Sequence, residues 1–202
     1  MSDTATDTPV PPGKLREVVT HLEMLARPKG LDAAEPPPQR GVRLERVTNP
    51  AVPFYRFLYN TVGEPWLWQD RRRLSDDALA AKIQAEGVAV HVLYADGQPA
   101  GYVELDAREP GDVELVFCGL MPWAIGRGLG PWMLRQATAL AWDPPGSRRF
   151  WVHTCSFDHP SALKMYKAAG FVPFDEEVNI VPDPRADGLI PEDAAPHVPM
   201  TV

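Results

Sequence analysis

Three glycines spaced two apart, Gly126, Gly128 and Gly130, lie between an apolar run ending at Leu120 and another that begins at Leu129. A strand, a glycine turn and a helix in that order make an anion site. The first N–H groups of a helix have no intrahelical partner, and the aligned peptide dipoles put partial positive charge there. Glycine keeps Cβ atoms out of the way, so a phosphate can approach the amides closely. After the turn, Leu129, Trp132, Met133, Gln136, Ala137, Leu140 and Ala141 recur as a mostly apolar helical stripe. Spacing narrows the choice of phosphate. A P-loop needs Gly-Lys-Ser or Gly-Lys-Thr after a glycine and four residues, and the chain has no such run. A dinucleotide fingerprint fails because Pro131 stands where its third glycine belongs. On spacing alone, a purely structural glycine turn remains the alternative.

The other chemistry-bearing residue types are sparse. Cys118 and Cys155 lie in apolar, strand-like runs without metal-ligand spacing and read as buried, reduced thiols, and no metal site is expected. His91 and His153 also fall in strands and read as core or cleft residues, whereas Asp158 or His159, just before Pro160, is placed to cap a helix.

The elements that must position these residues follow from periodicity. Leu15, Val18, Val19, Leu22 and Ala26 repeat at helical spacing between two proline clusters, which predicts an amphipathic accessory helix within residues 1–40. Residues 41–181 read as one α/β domain and residues 182–202 as a proline-rich tail. In the domain, a short strand at Val42–Arg46 precedes two helical segments broken at Gly63–Pro65, with Ser75 as an N-cap. A hairpin follows around Asp96-Gly97, then a strand from Val113 to Leu120, the glycine turn and its helix. Strand, helix and a last run from Phe171 to Val181 complete the order. This order predicts a mixed sheet, antiparallel in its first half with a parallel pair across the glycine loop, and helices on both faces.

At 202 residues and 45% hydrophobic composition the chain can bury one sizeable core. A net charge of −7 argues against broad binding to nucleic acid or an anionic membrane. No run is long enough for a membrane span and the N-terminus lacks an export-signal layout, so the expected compartment is the cytoplasm.

Met121-Pro122-Trp123-Ala124-Ile125-Gly126-Arg127-Gly128-Leu129-Gly130 resembles the acetyl-CoA loop of the GNAT N-acetyltransferases, a family in which Gln/Arg-x-x-Gly-x-Gly/Ala opens a helix after a strand. Downstream, His159-Pro160-Ser161-Ala162 followed by Tyr166 and Gly170-Phe171 is similar to that family's second signature. Ile125 replaces the usual Gln or Arg, and His159 the usual Asn.

The resemblance implies a GNAT-like α+β fold and an acetyl-CoA co-substrate held by main-chain N–H groups of Gly126 to Gly130. It assigns Leu120, Met121, Gly126, Arg127, Gly128, Leu129, Gly130 and His159 to that ligand. Leu120 marks the backbone N–H that would meet the thioester carbonyl. Glu114 is the candidate general base, with Glu104 as the alternative, and Tyr166 the candidate acid for the leaving thiolate. The acceptor side would comprise Tyr59, Trp66, Trp68 and Arg71, suiting a small-molecule or peptide amine that also carries a carboxylate or an aromatic group. A homodimer is allowed. A non-catalytic acyl-CoA-binding module on the same fold is the rival reading.

Overall fold

A computed structural model describes residues 9–31 and 35–201. Residues 1–8, within the N-terminal stretch expected to lack an export signal, residues 32–34, within the accessory segment 1–40, and Val202, at the end of the expected tail, lie outside those described. Seven strands form one sheet: β1 (Lys14–Met24), β2 (Arg43–Val47), β3 (Val88–Ala95), β4 (Gln98–Asp106), β5 (Asp112–Leu120), β6 (Arg149–Cys155) and β7 (Val172–Pro182). Their order is β2-β3-β4-β5-β6-β1-β7. Every neighbouring pair is antiparallel except β5 and β6. The mixed α/β sheet with a parallel pair beside the glycine loop is therefore as expected.

Four helices cover the two faces: α1 (Val52–Gly63), α2 (Asp76–Ile83), α3 (Leu129–Ala141) and α4 (Ala162–Ala169). Ser75 caps α2, its side chain accepting from Ala78 N at 3.2 Å. Tyr55 of α1 packs edge-on against Tyr102 of β4, whereas Tyr166 of α4 meets Phe171, which in turn meets Phe150 of β6. Among the described residues no helix is long and apolar enough to cross a membrane.

The N-terminal helix is not formed; its residues are β1, inside the sheet between β6 and β7. The physical reason lies in how β1 is covered. Leu15 and Val19 are buried on one face, and Leu22 and Met24 on the other. Because the covered face changes along the strand, the apolar positions 15, 19 and 22 imitate the i, i+4, i+7 spacing of a helix. The β-branched run Val18-Val19-Thr20 favours the strand, and pairing on both edges satisfies its backbone. β1 is thus an integral strand rather than an appendage.

The tail is likewise packed. Ile190, Ala195 and Val198 form a small second core with Leu15, Leu67 and Phe157.

Candidate functional site

β5 and β6 pair only from Asp112↔Arg149 to Glu114↔Trp151 and then part. On its other edge, β5 has Phe117 opposite Glu104 and Leu115 opposite Leu105, leaving Val116 as a one-residue bulge. A cleft of about 1040 Å³ opens at the parting. It is lined by Val152 from one face of β6 and His153 from the other, so it passes through the sheet. Met121 N donates to Ala100 O at 2.9 Å. Hydrogen-bonded and non-bonded pairs alternate in antiparallel strands, so the N–H groups of Cys118 and Leu120 turn toward the gap left by β6. Leu120 lines the cleft, while Met121 spends its N–H in the sheet and is only 1% exposed in the core.

At one mouth of the cleft, a 3-10 turn at Pro122–Ala124 leads into Gly126 at φ 80° and Gly128 at φ 75°, the N-cap of α3. No side chain caps that helix. Its first amides are free to meet a ligand, and a Cβ at Gly126 or Gly128 would touch nothing within 4 Å. Open space before unpaired amides fits a pyrophosphate group. Pro131 is the third residue of α3, where its missing N–H breaks no helical bond. Arg127 is already engaged, with Asp96 at 2.9 Å and the Gln39 amide at 3.0 Å, so the loop's backbone carries the anion site without its full charge. Lys29, Arg135 and Lys164 also line the cleft. No motif pointed to these three cations, because only the packing of α3 on α4 and the course of the loop after β1 bring them to the cleft.

Deeper in, Tyr166 is 5% exposed and lines the cavity with Cys118. Burial, with Cys118 and Asp158 nearby, pushes its phenol well above the usual value, so it remains a proton donor. Burial also pushes the Cys118 thiol up to about 12. His159 lines the same wall, its Nδ1 accepting from Ser161 N at 3.1 Å and its ring edge-on to Trp66. Asp158 closes the preceding turn instead of capping α4: it accepts from Trp68 Nε1 at 3.2 Å, Thr154 Oγ1 at 2.7 Å and Cys155 N at 3.0 Å.

Of the expected acceptor residues, Tyr59, Trp66 and Trp68 line the cleft. Arg71 does not. It is buried against Glu104 at 2.7 Å, and Tyr55 Oη donates to the same carboxylate, so guanidinium and carboxylate neutralise each other behind the aromatic wall. This removes both the free arginine expected to hold an acceptor carboxylate and Glu104 as an alternative base.

Glu114, the last paired residue before the gap, approaches His153 Nδ1 at 3.6 Å. This partner, opposed by partial burial, raises the imidazole pKa above its ordinary value. The His153 ring rather than the Glu114 carboxylate lines the cleft. Beside it, β1 contributes Glu17, whose carboxyl is pushed up by burial despite a hydrogen bond with Cys155. Reading β1 as a helix hid Glu17, because only the register with β6 and β7 turns it into the cleft.

The geometry and the sequence comparisons agree. Residues 48–171 match the model of the acetyltransferase (GNAT) family. No curated protein matches the chain. A functionally unknown conserved protein from Staphylococcus epidermidis shares the fold with TM-score 0.57 at 17% identity, over 85% of this chain and 63% of that one. A GCN5-related N-acetyltransferase from Kribbella flavida gives 0.55 at 20%, over 87% and 63%. A tandem GNAT protein from the clavulanic acid biosynthesis pathway gives 0.55 at 19%, over 80% and 51%. The chain thus spans about half to two-thirds of these structures. With the glycine loop, the parted parallel strands and the α4 tyrosine in one cleft, and a family match across more than half its length, the chain belongs to the acetyltransferase (GNAT) family.

Proposed function

We propose that this chain transfers the acetyl group of acetyl-CoA to a primary amine, of a small molecule or a peptide, in the cytoplasm. The observation that supports this most is the continuity of one cleft from the α3 N-terminus, past Tyr166, to His153 on the opposite face of β6. Bound acetyl-CoA would supply an activated acyl thioester. The amides of Gly126 to Gly130 hold its pyrophosphate. The N–H of Leu120, unpaired at the gap, is available to the acyl oxygen. Tyr166 donates a proton to the departing sulfur. His153, held by Glu114, takes the proton that the attacking nitrogen must lose, and Glu114 stabilises the imidazolium.

The test is release of free thiol when the protein is mixed with acetyl-CoA and a panel of primary amines. Tyr166→Phe keeps the ring on Phe171 and removes only the donor, so kcat should fall by about 100-fold while acetyl-CoA still raises Tm. If acetyl-CoA raises Tm, no amine yields thiol and Tyr166→Phe changes nothing, the chain is a non-catalytic acyl-CoA-binding module. If acetyl-CoA does not bind, both readings fail.

A further inference from the structure

The segment that joins β1 to β2 precedes residues 48–171, the part of the chain that matches the family. What it adds to the site is therefore this chain's own. Pro28, Lys29 and Leu31 of that segment line the cleft together with Arg135 of α3 and Lys164 of α4. They form a tight turn: Leu31 N donates to Pro28 O at 3.4 Å, and Gly30 takes φ 70°. Lys29 stands at the first central position of this turn, ahead of the glycine that the left-handed backbone favours.

The same segment is tied to the elements that carry the anion loop. Trp132 Nε1 of α3 donates to Glu35 O at 3.2 Å, and the Glu35 carboxylate pairs with Arg135. Gln39 is bonded to Arg127 twice, donating from Nε2 to its backbone O at 3.0 Å and accepting from its Nη2 at 3.0 Å. These contacts hold the segment against α3 and the glycine loop, beside the groove where α3 meets α4 at Gly130 and Met165.

Charge decides what that groove can hold. CoA carries a pyrophosphate and, on its ribose, a 3′-phosphate monoester with a charge of about −1.5 to −2 at neutral pH. The loop amides serve the pyrophosphate. Arg127 is neutralised by Asp96 and Arg135 by Glu35, so neither has its full charge to give. Lys29 and Lys164 do. Both are exposed, and among the described residues neither has a hydrogen bond or an ion pair. None of the carboxylates that line the cleft comes from this segment, α3 or α4, so nothing there opposes a second anion. Leu31, Met165 and Ala168, in the same lining, offer apolar surface to a purine ring.

We infer that residues 28–31 and 35–39 form a strap that gives the cleft a second anion site, in which Lys29 and Lys164 hold the 3′-phosphate of CoA. Lys29 thereby makes the protein select the phosphorylated cofactor. This rests on the proposed use of acetyl-CoA.

Calorimetric titration of the full chain compares CoA with 3′-dephospho-CoA, which differ only in that phosphate, and reads binding apart from turnover. CoA should bind roughly tenfold tighter. Raising salt should shrink that ratio. Lys29→Ala should lower the ratio about threefold by weakening CoA alone, whereas Lys29→Arg should keep most of it. Lys167→Ala removes an equal charge from α4 at a position outside the cleft lining and should leave the ratio unchanged. Equal affinities for the two cofactors, a ratio that Lys29→Ala leaves intact, or one that Lys167→Ala lowers as much, overturn the inference while leaving cofactor binding in place. Binding of neither cofactor overturns the proposed transfer as well.

Discussion

His153 and Glu114 show how much one pairing decides. On β6, His153 has its side chain 43% exposed, and Glu114 faces it across the last joined register of β5. The groups facing the imidazole are Glu114, Asp158 and Asp70, which favour its charged form, Glu17 from β1, and the His21 ring at 6.0 Å. A base must be neutral to accept a proton, so activity should fall as pH drops through the folded pKa, which lies above 6.5. Glu114→Gln removes the largest cause of the upward shift. The acidic limb of the kcat/KM profile for thiol release should then move to lower pH, and the plateau should drop several-fold. A limb that stays in place would remove His153 from the mechanism. The same shift has a sign for stability: its contribution is full below the unfolded value near 6.5 and is lost as pH rises through the folded one. Neither residue was marked as a pair by its neighbours in the chain, since 39 positions separate them.

At the scale of elements, the glycine loop was legible because its demands are local. A left-handed turn before a helix requires glycine, and Gly128 at φ 75° with α3 beginning at Leu129 meets that demand. Gly128→Ala should therefore cost about 1–2 kcal/mol in urea unfolding and weaken acetyl-CoA's effect on Tm. Gly130→Ala differs. Its φ is not positive, and the new Cβ would lie 3.5 Å from Met165 Sδ, an ordinary contact, so stability should change by less than about 0.5 kcal/mol or rise. Comparable losses at both positions would contradict this account. The hairpin at Asp96-Gly97 and the Ser75 cap were legible for the same local reason. β1 was not, because the face on which it is buried changes with what covers it, and the covering elements are the distant α4 and the C-terminal tail.

Across the whole molecule, the chain's two ends complete the site. The tail is pinned by Arg185, whose side chain is 2% exposed. It binds Asp183 through Nε at 3.0 Å and Nη2 at 2.9 Å, and its Nη1 reaches the carbonyls of Ala194, Ala195 and Val198. From there His197 donates to Phe157 O at 3.1 Å and lies against Trp66 in the cleft wall. Arg185→Ala leaves the buried Asp183 carboxylate without its counter-charge, with only the backbone N–H of residue 185 still donating to it, and takes the guanidinium donor from the carbonyls of Ala194 and Val198, so stability should drop by roughly 3–5 kcal/mol in urea unfolding. KM for the amine should also rise as Trp66 loses its support; a loss under about 1 kcal/mol would mean that the tail is not anchored there. The amino-acid sequence by itself determined the order of strands and helices from β2 onward, the parallel pair and the glycine loop, because hydrophobic period, turn chemistry and a helix N-terminus act over a few residues. Only the tertiary structure decided that Leu15 to Met24 lies in a strand paired on both edges, that Arg71 is spent on Glu104, and that Glu17 and Glu177 line the cleft. Each of these depends on register and on which distant side chain arrives as a partner, and neither is written in local spacing.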